Sequence, residues 1–178
     1  MNFEELILKR QSDRQYDTSR PVEDEKLNKC IEAARLAPSA CNAQPWKFIA
    51  LRDPEIRAKV GQCAASMGMN KFCLDAPMLV VLVLEKPNLT SKIGSVLKNK
   101  EYTLIDVGIT AAHFCLQATE LGLGSCIVGW FDEKKIRKLL GIPSSKRIPL
   151  LICAGYPASP QRPKIRKDLE KIYSTDKY

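Results

Sequence analysis

Histidine is nearly absent from this chain of 178 residues, which contains only His113. A zinc site built from several histidines is therefore excluded, and a Ser-His-Asp or Cys-His arrangement would have to use that one residue. His113 lies in a mostly apolar stretch, residues 106–118, whose pattern indicates a helix. We therefore expect a packed histidine, and if the protein is an enzyme, a cofactor carries the chemistry.

The cysteines lack the spacing of a metal or redox motif. No pair forms C-x-x-C, which excludes a zinc ribbon and a thioredoxin-like site. They are odd in number, widely spaced and mostly embedded in apolar sequence, so we expect buried thiols and assign Cys41 no catalytic role. The seven are Cys30, Cys41, Cys63, Cys73, Cys115, Cys126 and Cys153. No G-x-G-x-x-G follows a strand, so a Rossmann nicotinamide site is not predicted.

Long apolar runs are also missing. A stretch of about eighteen apolar residues, which a membrane-spanning helix needs, is not present. The longest run, residues 76–84, is short enough to indicate a buried strand instead. The N-terminus has neither the basic flank nor the apolar region of a secretion signal, so we expect a cytoplasmic protein. With 45% hydrophobic residues, residues 1–178 are expected to form a single globular domain.

The formal net charge of +8 suggests nucleic-acid binding as one possible function. The charges are dispersed, however, and the 7% of aromatic residues do not alternate with them as in a base-stacking surface. Attraction of anionic small molecules is the simpler explanation. We expect no nucleic-acid partner; a nucleic-acid binder would instead show DNA affinity that falls steeply with salt.

Helical and strand patterns alternate along the chain. The spacing of apolar residues and the capping residues predict helices over about 1–11, 23–36, 54–66, 103–121 and 132–141, and strands over 46–51, 78–84, 125–128 and 148–154. Such alternation predicts one sheet sandwiched by helices, in an α+β or α/β arrangement. Residues 86–100 are polar and lysine-rich and are predicted to form a connection, while the basic, proline-rich tail from Pro157 needs another surface to lie on.

Three segments carry an unusual set of polar groups at both ends of the chain. They are Arg10-Gln-Ser-Asp-Arg14, Ala37-Pro-Ser-Ala-Cys-Asn-Ala-Gln-Pro-Trp46 and Arg162-Pro-Lys-Ile-Arg166. Together they supply cations, hydroxyls and carboxamides, with no acidic cluster beside them. This set suits a ligand with a dianionic phosphate, several hydroxyls and a heteroaromatic ring. In order and spacing the segments resemble the nitroreductase family of FMN-dependent oxidoreductases, over about residues 5–170.

The resemblance implies a fold and an assembly. Its fold is an α+β nitroreductase-like layered fold, with a central, mainly antiparallel sheet flanked by helices. It also implies an intertwined homodimer, in which the long helix at 103–121 lies in the interface and the C-terminal segment reaches over the partner. FMN is the cofactor that the resemblance predicts, and no metal is expected.

Basic residues from both ends are the candidates for the FMN phosphate. Arginine offers a planar fork that matches phosphate oxygens; taken alone, Lys164 and Arg166 would fit an exposed basic tail equally well. Their pairing with Arg10 favours a phosphate site. Ser12 suits the ribityl hydroxyls, although it could instead cap backbone in a turn at the end of the first helix. Arg14 suits the pyrimidine edge of the flavin, where a positive charge stabilises the anion formed on reduction.

The resemblance assigns three further stretches to the flavin. The first is the loop with small residues and carboxamides, namely Pro38, Ser39, Ala40, Asn42 and Gln44. The second is Asn70, near the pyrimidine ring, with the neighbouring Lys71 as an additional cation if the register differs by one residue. The third is the backbone of Ile127, Val128 and Gly129, facing the dimethylbenzene and N5 side.

The activity implied is transfer of hydride from NADH or NADPH to flavin N5, followed by ping-pong reduction of a nitroaromatic, a quinone or a similar small acceptor. No side chain has to act as a nucleophile. Two alternatives remain at the level of sequence. One is a specialised enzyme of the same fold, either a reductive dehalogenase or a flavin-fragmenting enzyme. The other is a non-catalytic FMN-binding or storage protein.

Overall fold

The computed structural model describes residues 1–85 and 101–178 and has a four-stranded sheet at its centre. The strands are β1 (Trp46–Leu51), β2 (Met78–Leu84), β3 (Gly124–Val128) and β4 (Arg147–Gly155). Their order is β1-β2-β4-β3, and each neighbouring pair is antiparallel. In β2 every residue but the last is buried, as the continuous apolar run predicted for a strand covered on both faces.

Five helices surround the sheet within the described residues: α1 (Phe3–Lys9), α2 (Asp24–Arg35), α3 (Pro54–Ala64), α4 (Tyr102–Glu120) and α5 (Glu133–Leu139). The predicted caps of α3 and α5 are confirmed, because Asp53 accepts from the backbone N–H of Ile56 at 2.9 Å and Asp132 from that of Lys135 at 3.0 Å. Helix α1 ends two residues earlier than predicted, which leaves residues from Arg10 onward extended. The predicted connection at 86–100 lies outside the described residues.

Each face of the sheet carries two helices. Residues of α2 and α4 pack on one face, where Leu27, Phe114 and Val80 belong to one apolar cluster. Residues of α3 and α5 pack on the other, where Val60 and Ile136 belong to a second apolar cluster. The layered α+β fold with an antiparallel sheet is thus confirmed. No helix in the described ranges is long and apolar enough to cross a membrane.

The expectations for histidine and cysteine are largely met. His113 is half-buried in α4, with Nδ1 2.9 Å from the carbonyl oxygen of Ile109 in the preceding turn. Six of the seven cysteines are buried as thiols. Cys41 is the exception, being exposed in a short 3-10 helix, with φ of 52°.

The extended segment after α1 lies along the sheet beside β3. Ser12 pairs with Ser125 of β3 in a parallel bridge, and the N–H of Asp13 donates to the carbonyl of Ser125 at 2.9 Å. Four residues later Tyr16 pairs with Pro157, at the start of the C-terminal tail. This pairing brings the two ends of the chain together at one edge of the sheet.

Candidate functional site

A pocket of about 420 Å³ opens where the two chain ends meet. We call it the basic pocket; it is lined by residues 10–12, Arg14 and residues 162–166. Arg10, Ser12 and Arg14 alternate along the extended segment, which brings their side chains to the same side of the chain. The structure therefore brings together all five residues predicted for the phosphate, the ribityl chain and the pyrimidine edge, the other two being Lys164 and Arg166.

Hydrogen bonds to two backbone carbonyl groups and to the side chain of Gln11 bind the tail to the N-terminal segment. A guanidinium nitrogen of Arg162 donates to the carbonyl oxygen of Ser12 at 2.5 Å, and the Arg162 N–H donates to Oε1 of Gln11 at 3.0 Å. The ammonium group of Lys164 contacts the carbonyl oxygen of Arg10. Arg162 and Gln11 were not among the predicted site residues, although both lie within the two segments, residues 10–14 and 162–166, that carry the predicted phosphate site. They fix the basic pocket in place.

Positive charge is concentrated in the basic pocket. Partial burial and the guanidinium groups of Arg10 and Arg166 lower the pKa of the Lys164 ammonium, and the carboxylate of Asp13 opposes this. Asp13 is itself buried, which raises its pKa although Gln11 hydrogen-bonds it. Crowded cations of this kind repel one another, and a bound anion would relieve that repulsion. The basic pocket is therefore suited to a ligand group with more than one negative charge.

Arg14 connects the basic pocket to the middle of β3. Its guanidinium carbon lies 5.8 Å from the centre of the Phe72 ring. Burial raises the pKa of the Cys126 thiol, and the nearby charge of Arg14 opposes that shift. Because Cys126 belongs to β3, the guanidinium group lies between that strand and the short 3-10 helix at Lys71–Cys73. This is the direction in which a ligand anchored at the basic pocket would extend.

Asn70 and the end of β3 form the next part of the surface. Asn70 has a left-handed backbone, with φ of 50°, and its Nδ2 donates to the carbonyl oxygen of Trp130 at 2.8 Å. Gly129 and Trp130 line a pocket of about 400 Å³, here called the tryptophan pocket. From Ser125, beside Ser12, to Gly129 the chain advances about 13 Å at ~3.3 Å per residue.

The predicted residues of this part differ in exposure. Ile127 is 41% exposed and Val128 only 3%, so their side chains lie on opposite faces of β3. Lys71 is exposed, and it forms no ion pair within residues 1–85 and 101–178.

The 38–44 loop has a defined shape of its own. The hydroxyl of Ser39 accepts from the N–H of Gln44 at 3.0 Å, and Nε2 of Gln44 donates to Oδ1 of Asn42 at the same distance. Asn42 and Gln44 have positive φ, of 50° and 45°, and both are exposed. Two carboxamides are thus held together on the surface, where they can contact a ligand or another chain.

The same loop is anchored far from the basic pocket. The N–H of Ala40 donates to a carboxylate oxygen of Asp106, a buried residue near the start of α4, at 3.0 Å. Arg10 of the basic pocket lies nearer to Cys115 of the same helix. Its charge there partly offsets the rise in the pKa of the Cys115 thiol that burial causes. Asp106 and Cys115 are nine residues apart in α4, which corresponds to about 14 Å along the helix axis. Among the described residues, no hydrogen bond joins the loop to the basic pocket. Asp106 was not predicted, because it lies within an otherwise apolar helical pattern.

Comparison with known proteins adds an independent finding. The family model described as "Nitroreductase family" matches residues 7–69 and 61–156. A putative NADH dehydrogenase/NAD(P)H nitroreductase of Archaeoglobus fulgidus is 31% identical, over 96% of this chain and 89% of the relative. An NADH dehydrogenase of Thermus thermophilus is 28% identical, over 93% and 91%. The solved structure of an FMN-dependent nitroreductase from Clostridium difficile superposes with a TM-score of 0.80 at 30% identity, covering 97% of this chain and 98% of that one.

Proposed function

The chain belongs to the nitroreductase family, and on that premise we propose that it is an FMN-dependent oxidoreductase. Its electron donor is NADH or NADPH, and its acceptors are nitroaromatics, quinones or similar small oxidised molecules. When bound, FMN supplies the hydride-transfer chemistry that the side chains lack. We take residues 1–178 as one FMN-binding domain.

The basic pocket is the observation that carries this proposal. A phosphate monoester bears between one and two negative charges at neutral pH. Arg10, Lys164 and Arg166 line one pocket, and partial burial, followed by the charges of Arg10 and Arg166, lowers the pKa of Lys164. Charge-assisted hydrogen bonds contribute about 1.5–3 kcal/mol each, although such contributions do not add simply. Three cations around one phosphate therefore support tight retention of FMN.

The remaining predicted residues suit the ribityl chain and the ring. Ser12 offers its hydroxyl beside the phosphate site, and Arg14 offers positive charge toward the pyrimidine edge, where reduction places negative charge. Asn70, held against the carbonyl of Trp130, offers its amide oxygen to the same edge. The backbone of residues 127–129 lies where β3 ends, in reach of the other side of the ring.

We further propose that the protein is a homodimer, in which the 38–44 loop of one protomer lies beside the basic pocket of its partner. Two observations support this. Within one chain the loop contacts α4 at Asp106, whereas the charge of Arg10 in the basic pocket acts near Cys115, about 14 Å further along that helix. In addition, exposed apolar side chains occur on α1, on α4 and in the tail, namely Phe3, Leu8, Ile105, Ile165, Leu169 and Ile172. Large exposed apolar side chains of this kind favour association with another chain, which would bury them.

Ile105→Asp is expected to give a monomer that binds FMN poorly, because a charge replaces an apolar side chain, 55% exposed, on the proposed interface of α4. Sedimentation and the ratio of flavin to protein measure the two effects. Ile56→Asp is the matched control, since Ile56 is 39% exposed on α3, at the other face of the sheet. A wild-type protein that is monomeric and fully loaded with FMN would contradict the dimer.

The purified protein is expected to be yellow, and the colour should bleach when NADH or NADPH is added without oxygen. The rate of bleaching with each donor decides which of the two it uses. Turnover with menadione or nitrofurazone then separates an enzyme from a storage protein, because a storage protein keeps its flavin but oxidises no nicotinamide. A purified protein without flavin, even after incubation with FMN, would contradict the proposal.

A specialised reaction is a second candidate for the same site. One relative, an iodotyrosine deiodinase of Thermotoga neapolitana, is 27% identical over 96% of this chain. Release of iodide from iodotyrosine by the reduced protein, measured beside nitrofurazone reduction, distinguishes the two reactions.

A further inference from the structure

A groove between α3 and α5 has no part in the function proposed above. Its volume is about 630 Å³, which is within the range of small-molecule sites. Lys59 of α3 and Lys135 and Lys138 of α5 line it, so we call it the lysine groove. Cys63 and Leu139 also line it.

The three lysines can be reached by an anion from solvent. Lys59 pairs with Glu55 at 2.5 Å and Lys135 with Asp132 at 3.2 Å, and the side chains of both lysines are about half exposed or more. Exposed ion pairs of this kind are weak, so an incoming anion can exchange with the carboxylates. Lys138 forms no ion pair with any residue that the structure describes.

The thiol of Cys63 adds no negative charge to the lysine groove. Burial raises the pKa of Cys63 and the carboxylate of Asp132 raises it further, whereas Lys135 acts in the opposite direction. With a neutral thiol at neutral pH, the charges there are the three ammonium groups and the carboxylates of Glu55 and Asp132 that pair with two of them. The lysine groove therefore has a net positive charge, with Lys138 contributing the ammonium group that is not paired among the described residues.

The lysine groove continues into the tryptophan pocket. Ser66 and Lys135 line both, and the tryptophan pocket also includes Gly129 and Trp130. Trp130 is 56% exposed, so its ring is available for stacking on a planar ligand. A molecule with an aromatic ring and an anionic group some distance away matches this pair of cavities.

We propose that the lysine groove binds the anionic group, phosphate or carboxylate, of a redox reactant whose aromatic ring enters the tryptophan pocket. The inference rests on the proposed function, because that function assigns Gly129 to the flavin. Two reactants share this chemistry. One is the nicotinamide dinucleotide donor, with its pyrophosphate, and the other is an aromatic acceptor that carries a carboxylate.

Charge reversal at Lys138 tests the proposal, with Lys134→Glu as the matched control. Lys134 is exposed on the same helix and lines neither cavity, so both variants change the net charge equally. Binding of ADP-ribose and of 4-nitrobenzoate to the flavin-loaded protein is measured by calorimetry, with nitrobenzene as the neutral probe. Lys138→Glu should weaken binding of at least one anion about tenfold relative to Lys134→Glu. Lys138→Gln should have a smaller effect, and added salt should reduce the difference.

The pattern of losses identifies the source of the anion. A loss for ADP-ribose alone assigns the lysine groove to the donor, a loss for 4-nitrobenzoate alone assigns it to the acceptor, and a loss for both assigns it to both in turn. Equal affinities for both anions in Lys138→Glu and Lys134→Glu, or an equal loss for nitrobenzene, would overturn the proposal. The flavin content of each variant is measured separately, so a protein that never binds FMN is recognised as a failure of the proposed function instead.

Discussion

Arg10→Ala and Arg166→Ala are each expected to give a folded protein that loses its yellow colour on purification. Each substitution removes a cation from the basic pocket without removing the backbone contacts that hold the tail in place. A loss of about 1.5–3 kcal/mol corresponds to FMN binding weaker by roughly 10- to 150-fold. The dissociation constant is measured by titrating FMN fluorescence against the flavin-free protein, and thermal melting verifies that each variant is folded.

Lys167→Ala is the control for this pair. Lys167 is exposed in the same tail, next to Arg166, but does not line the basic pocket. Lys167→Ala lowers the net charge by one, as Arg10→Ala and Arg166→Ala do. The FMN affinity of Lys167→Ala therefore measures how much general electrostatic attraction contributes to binding. If Lys167→Ala weakened FMN binding as much as Arg166→Ala, or if Arg10→Ala kept its full colour, the phosphate assignment would be wrong.

Local patterns in the sequence predicted the architecture well. The strand at 46–51 and the strand at 78–84 have the predicted bounds, since their apolar residues and flanking turn residues agree. The helix from Asp53 was predicted from a capping side chain followed by proline, and the structure has that cap. These elements depend on residues a few positions apart, which is the range over which a sequence pattern carries information.

Long-range contacts were not predictable in the same way. Sequence spacing gave no indication that Arg162 would donate to the carbonyl of Ser12, 150 residues away. Nor did it indicate that the carboxylate of Asp106 would accept a hydrogen bond from the N–H of Ala40. The residues next to Asp106 in the sequence are mostly apolar, so they do not reveal which distant group the carboxylate binds. The resemblance to a family placed the two chain ends together, whereas the hydrogen bonds that fix them are visible only in the fold.

The close approach of Gly124 to Asp13 is another such contact, and it leads to a prediction with a large effect. A Cβ atom on Gly124 would lie 2.7 Å from both Cγ and Oδ2 of Asp13, and 2.8 Å from its Cβ. Asp13 cannot move aside freely, because it is buried and its N–H is bonded to Ser125. Gly124→Ala must therefore push the segment that carries Ser12 and Arg14 away from β3.

Gly124→Ala is expected to lower the free energy of unfolding by about 1–3 kcal/mol, the usual cost of overpacking. Thermal melting at a fixed protein concentration measures this loss. FMN titration should show weaker binding as well, since the displaced segment lines the basic pocket.

A second substitution tests the cause, because the three atoms nearest the added Cβ all belong to the side chain of Asp13. Asp13→Gly removes them, so the double variant should regain stability and FMN affinity relative to Gly124→Ala alone. Asp13→Ala keeps the Cβ that would lie 2.8 Å away, and should restore less. A double-mutant cycle expresses this as a coupling between the two positions, expected at about 0.5–3 kcal/mol for residues in contact. If the two substitutions simply added, the clash would not be the cause, and the position of the N-terminal segment would not depend on the glycine at 124.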